Sequence, residues 1–141
     1  MSRTPLIAGN WKMHKLRAEA EAFVRALLPQ VAGVSCDVGL CAPFTVLAAL
    51  VEETRGTGVA IYAQNMHEED QGAYTGEISA PMLTDLEVTG VVLGHSERRE
   101  LFCETDRNLA LKVPKALHSG LQPILCVGET EAERDAGDTQ R

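Results

Sequence analysis

The sequence predicts an α/β fold built from consecutive βα units around a parallel sheet. Three observations carry that expectation. Short apolar runs at Leu6–Ala8, Val38–Ala42, Val59–Ala63, Val91–Leu93 and Leu121–Val127 read as buried strands, and they alternate strictly with helix-like segments. The strand starts fall roughly thirty residues apart with one shorter step, the spacing of a strand plus its crossover helix. Polar residues with chemical capacity gather directly after two of the runs, in AGNWKMH at 8–14 and GHSERRE at 94–100. Right-handed crossovers would bring all strand C-termini to one edge, where parallel α/β folds bind ligands.

Each element has its own signal. Leu16, Ala20, Phe23, Val24, Leu27 and Leu28 recur at helical spacing and give the first crossover one apolar face, which Pro29 and Gly33 are expected to stop. Val46, Leu47, Leu50 and Val51 mark the second helix, ending near Gly56 and Gly58. The third is short, with Ser79 as N-cap, Pro81 in its first turn and an end near Leu86. The fourth runs from a Thr105 N-cap to Ser119-Gly120, with Pro114 inside it. A proline in a helix interior removes a hydrogen bond and costs about 3 kcal/mol, so a kink or break is expected there. The last stretch, GETEAERDAGDTQR, begins like a helix but has almost no apolar face.

Composition narrows the function classes. A chain of 141 residues with 45% hydrophobic and 23% charged residues is one ordinary globular domain, here taken as 1–141. A net charge of −7 argues against nucleic acid and against an anionic membrane surface, though not against a local cationic pocket. The N-terminus carries too short an apolar stretch for a signal peptide or a membrane span. Cys36, Cys41, Cys103 and Cys126 form no CxxC pair and read as buried free thiols in a reducing, cytoplasmic compartment. No His/Cys cluster has metal-ligand spacing and no GxGxxG loop is present, so neither a metal nor an organic cofactor is expected.

Four segments, in order and spacing, carry a family resemblance: AGNWKMH, AQNMHEEDQGAYTGEIS at 63–79, GHSERRELF at 94–102 and PILCVGET at 123–130. Together they resemble the N-terminal part of triosephosphate isomerase, over Leu6 to about Glu133. The resemblance implies the N-terminal portion of a (β/α)8 TIM barrel, strands one to five, in a family whose chains run to about 250 residues. Two positions depart from it. Cys103 stands where the family usually has glycine, and Pro114 interrupts a helix that is usually uninterrupted.

The chemistry of the residues agrees. Interconverting a ketose and an aldose phosphate moves a proton between adjacent carbons through an enediol(ate). That needs a base, an electrophile for the carbonyl oxygen and a cation for the anionic substrate. His95 suits the electrophile, and the resemblance implies the family's neutral imidazole there. Lys12 suits the cation that steers phosphate and stabilises developing charge. Asn10 can donate a hydrogen bond to the same region, and Glu97 reads as the partner that fixes Lys12. Taken singly, His95 would be a structural histidine and Lys12 a solvated lysine; their shared strand-end setting promotes both. Arg98 and Arg99 divide between a solvated helix start and a subunit contact. His14, His67 and His118 read as structural or exposed, and Glu68–Asp70 as a solvated acidic loop.

The 65–79 connection is far longer than the two to six residues usual for a βα loop. The resemblance implies an intersubunit loop, with Thr75 and Glu77 reaching a partner near its Asn10, Lys12 and Glu97, hence a homodimer in which Arg98 also takes part. It also implies a catalytic glutamate after strand six and phosphate-binding glycines after strands seven and eight, all beyond Arg141. Glu129 is the tempting substitute for that base and is read as structural. The 141 residues alone are therefore expected to be inactive and to require a complementing C-terminal segment. A second reading, from another class, is a non-catalytic flavodoxin-like domain binding a phosphate or a partner at its switch point.

Overall fold

The computed structural model describes residues 3–138. Five strands form one parallel sheet: β1 (Leu6–Asn10), β2 (Asp37–Ala42), β3 (Val59–Ala63), β4 (Gly90–Leu93) and β5 (Gln122–Leu125). The helices between and after them are α1 (Arg17–Val31), α2 (Leu47–Thr54, preceded by a 3-10 turn at Phe44–Val46), α3 (Ala80–Asp85), α4 (Ser96–Leu101), α5 (Asp106–His118) and α6 (Glu131–Asp135). The strand order is β1-β2-β3-β4-β5, the same as the chain order. A doubly wound domain reverses direction at a switch point and places strands out of sequence. The flavodoxin-like reading therefore fails, and the sheet is one side of a curled barrel.

Strand alternation divides the apolar residues between two faces. Leu40, Ala42, Ile61, Ala63, Val91 and Leu93 join Val24, Leu47, Leu50, Leu83 and Leu109 of the helices in the main core. Cys41, Tyr62 and Val92 form a second cluster on the opposite, concave side, with Leu6, Ile124 and Cys126 against it. Tyr62 fills that face because its neighbours are glycines. A Cβ at Gly39 would lie 2.8 Å from the Tyr62 ring, and one at Gly90 would lie 2.9 Å from it and 2.0 Å from the Gln122 carbonyl. The Tyr62 hydroxyl donates to Gln122 Oε1 at 2.6 Å.

Several expectations are corrected. Helix α1 does not stop at Pro29 but runs on to Val31. The proline sits in the last turn, where the residue is exposed and the orphaned Arg25 carbonyl can turn to water. Nor does Pro114 break α5, which is continuous from Asp106 to His118 with Pro114 on its exposed side. Thr105 caps this helix as expected, accepting from the Asn108 amide in a capping box. Ser79 occupies the N-cap position of α3, but its hydroxyl is buried and makes no capping bond. All four cysteines are free, yet Cys103 is exposed, not buried. Its φ of 54° is the left-handed backbone that glycine adopts freely and that costs another residue about 1–2 kcal/mol.

The edge strands are β1 and β5, and their apolar residues Ile7 and Leu125 are exposed. Among the described residues, no helix is long and apolar enough to cross a membrane.

Candidate active site at the carboxyl ends of β1 and β4

The parallel sheet brings the two polar segments to one edge, as the sequence predicts. After β1, the Trp11 amide donates to the Cys41 carbonyl at 2.9 Å, extending the β1–β2 pairing by one residue. The buried Trp11 ring meets Phe23 edge-on at 5.4 Å, and the Lys15 ammonium lies 5.4 Å and 4.7 Å from the two ring centres. The chain then turns sharply at Lys12, whose φ is 53°. Its amide donates to Asn10 Oδ1 at 3.0 Å. Gln64, just after β3, sets its Nε2 within 3.1 Å of Asn10 Oδ1, 2.9 Å of the Lys12 carbonyl and 3.1 Å of the Cys41 carbonyl. With the Asn10 carbonyl oxygen engaged twice, its Nδ2 is the group left to donate to a ligand.

After β4, Gly94 adopts φ 72°, and a Cβ there would lie 2.8 Å from the Leu109 side chain, so any other residue would strain this corner and press on Leu109. His95 is the N-cap of α4. Its Nδ1 accepts from the Glu97 amide at 3.3 Å, an arrangement that assigns the proton of a neutral imidazole to Nε2. Glu97 reaches back across the gap. One carboxylate oxygen is 2.7 Å from Lys12 Nζ and the other 3.5 Å from His95 Nδ1. Hydrogen bonding to the Lys12 ammonium holds the Glu97 carboxyl below the ordinary carboxylate range. Asn10, Lys12, Gln64, His95 and Glu97 line a cleft of about 200 Å³ together with Phe44, Val92 and Phe102.

Beneath the cleft lies a charged network absent from the sequence reading. Glu104 and Lys112 are both buried, joined at 2.5 Å, and Lys112 Nζ also donates to Asn65 Oδ1 at 3.1 Å. The other oxygen of Glu104 accepts from the Gly94 amide at 3.2 Å. Arg98 is neither freely solvated nor free of contacts: its guanidinium stacks 5.1 Å over the Phe102 ring, and its Nε is 3.5 Å from Glu104. Arg99 is also half buried and bonded to the main-chain carbonyls of Gly94 and Cys126, just past the ends of β4 and β5. Asn65 and Gln64 were detectable, since they follow an apolar run as Asn10 and His95 do. Glu104 and Lys112, on a loop and a helix, left no such signal.

The remaining candidates fall elsewhere. Loop 64–79 is closed at its neck by a bond from the His67 amide to the Ile78 carbonyl at 2.8 Å. Within it, His67 stacks on Tyr74 at 4.2 Å, and Asp70 pairs with Lys115 at 2.6 Å, so neither is simply solvated. Thr75 and Glu77 are exposed, as are His14 and His118. Glu129 points away to Arg134 at 2.9 Å, and a backbone hydrogen bond with that contact holds its carboxyl low.

A run of parallel βα units with its polar site at the strand C-termini defines this molecule as part of a β/α-barrel domain. The family model for triosephosphate isomerase matches residues 5–141. The triosephosphate isomerase of Rubrobacter xylanophilus is 54% identical over 137 residues, covering 96% of this chain and 54% of that protein. That of a Synechocystis species is 52% identical, covering 99% and 58%. A crystal structure of triosephosphate isomerase from Bartonella henselae superposes with a TM-score of 0.91 at 36% identity, covering 97% of this chain and 57% of that one. The chain belongs to the triosephosphate isomerase family. It spans about half the length of the curated relatives it matches.

Proposed function

We propose that this chain supplies the electrophile and the cation of a triose-phosphate isomerase, interconverting dihydroxyacetone phosphate and glyceraldehyde 3-phosphate through an enediol(ate). The observation that carries this is the convergence of Lys12, Glu97 and His95 on one cleft, with His95 presenting an N–H from Nε2. His95 donates to the substrate oxygen as negative charge develops there, the stage at which a fixed donor lowers a barrier. Lys12 attracts the phosphate and shares the same developing charge. Glu97 holds the ammonium in place, and Asn10 Nδ2 orients the substrate.

The proton-abstracting base is not among these groups. Of the described residues lining the cleft, Glu97 is the carboxylate, and it is committed to Lys12. The resemblance supplies the base from a lid after strand six, so this chain requires a segment carrying strands six to eight. Thr75 and Glu77, both exposed on the closed loop, support a homodimer in which that loop meets the partner near Arg98. We assign the working enzyme to the cytoplasm, in keeping with four unpaired cysteines. The test is a coupled isomerase assay on the chain combined with a polypeptide supplying the last three barrel strands. Turnover of triose phosphate is expected; a well-folded assembly without it would overturn the assignment.

A further inference from the structure

Arg99 is bonded to both peptide groups that flank His95. Its backbone N–H donates to the His95 carbonyl at 3.1 Å, beside that of Arg98 at 2.8 Å. Its side-chain Nε donates to the Gly94 carbonyl at 2.8 Å, the carbonyl of the Gly94–His95 peptide. The rest of the guanidinium is committed too: one terminal nitrogen donates to the Cys126 carbonyl at 3.1 Å, and the other meets Asp106 at 2.7 Å. The fork thus spans the ends of β4 and β5, continuing the link made lower down where the Cys126 amide donates to the Leu93 carbonyl at 2.9 Å. A Cβ at residue 94 would lie 3.1 Å from the guanidinium, so glycine leaves the fork room to approach.

We propose that Arg99 is a positioning residue for His95: its guanidinium locks the Gly94–His95 peptide to the end of β5, and so aims the imidazole into the cleft. With the peptide planes on both sides held, the imidazole has its direction set before a substrate arrives. Nδ1 then stays on the Glu97 amide, and the proton stays on Nε2. Glu104 grips the Gly94 amide from the other side, and among the described residues Arg99 is the side chain that hydrogen-bonds the peptide leading into His95. A planar fork with several fixed donors can serve these acceptors together, whereas a lysine ammonium is a point charge on a flexible stem. The proposal rests on the reading of His95 as the donor to the substrate oxygen.

The experiment compares parent, Arg99→Lys and Asp106→Ala proteins assembled with the complementing half-barrel. Two quantities are read: histidine side-chain ¹⁵N resonances and the steady-state constants. In the parent, His95 should show a single tautomer protonated at Nε2. In Arg99→Lys it should show an exchange-averaged mixture, with kcat lower by on the order of 10²-fold and KM within about twofold. Asp106 is 90% exposed and holds the fork from its solvent side, so removing its carboxylate tests the same point where folding is not at stake. It should move both readouts in the same direction by less. If the parent proved inactive, the isomerase reading would fail while the resonances still decided the role of Arg99. His95 resonances unchanged in both variants would overturn the proposal.

Discussion

After β1 the chain turns in the open. Lys12 has a side chain 52% exposed and a strained backbone, held by its own amide on Asn10 Oδ1, an amide clamp from Gln64 and one ion pair to Glu97. After β4 the turn is enclosed. Gly94 is buried, its N–H is held by buried Glu104, its carbonyl by Arg99, and His95 is fixed through Nδ1. The two turns stand on the same sheet edge and face the same cleft, yet one is loose and the other rigid. The roles proposed for their groups account for the difference. An ammonium acts on phosphate at a distance and tolerates some motion, since Coulomb attraction falls off slowly. A hydrogen-bond donor to a developing charge works only within a few tenths of an ångström, so its support has to be built in advance.

The largest effect should come from breaking the rigid side at its working end. In the assembled protein, His95→Gln should lower kcat by about 10²–10³-fold while secondary structure and oligomeric mass stay unchanged. Loss of the fold in circular dichroism would mean that His95 is chiefly a structural residue. Lys112→Met attacks the support instead. It strands buried Glu104 without its main partner and should cost about 3–5 kcal/mol in urea denaturation. An unchanged midpoint would show that the network does not hold this corner.

On the loose side, Gln64→Ala removes the clamp on Asn10 and Lys12. Losing two such hydrogen bonds should lower kcat/KM roughly tenfold, and amide exchange at residues 11–13 should rise. A loss matching that of His95→Gln would erase the contrast between the two turns. The smallest effect concerns acid. Because Lys12 holds the Glu97 carboxyl low, the pair is intact above the ordinary glutamate pKa of about 4.3 and opens only as pH falls below it. The ¹³C carboxyl shift of Glu97 should therefore titrate below that value, and Lys12→Met should bring it back up.

The loose and rigid turns also differ in how far the sequence disclosed them. Asn10, Lys12, His95 and Glu97 were legible because a strand end is announced by its apolar run, and polar residues that follow it share an edge. Helix α5 was legible through its Thr105 cap, but its continuity was not. The cost of Pro114 depends on whether the freed carbonyl faces water, which only the fold decides. The support of His95 was hidden for a similar reason. Glu104, Lys112 and Arg99 look like surface charges until packing places them under Gly94. Ser79 showed the converse, a good capping residue whose hydroxyl the fold leaves unused.

The division of labour along the barrel can be tested without turnover. Among the described residues the cleft offers no carboxylate besides Glu97, which is paired with Lys12, so on the proposed reading this chain binds a triose phosphate without removing its proton. The direct measurement is solvent deuterium incorporated at the carbon next to the carbonyl of dihydroxyacetone phosphate, followed by mass spectrometry with the chain alone and with its complement. The chain alone should give no incorporation above buffer, and the assembly should give rapid incorporation that His95→Gln slows. Deuterium incorporated by the 141-residue chain alone would place the base within it and contradict the assignment of the site.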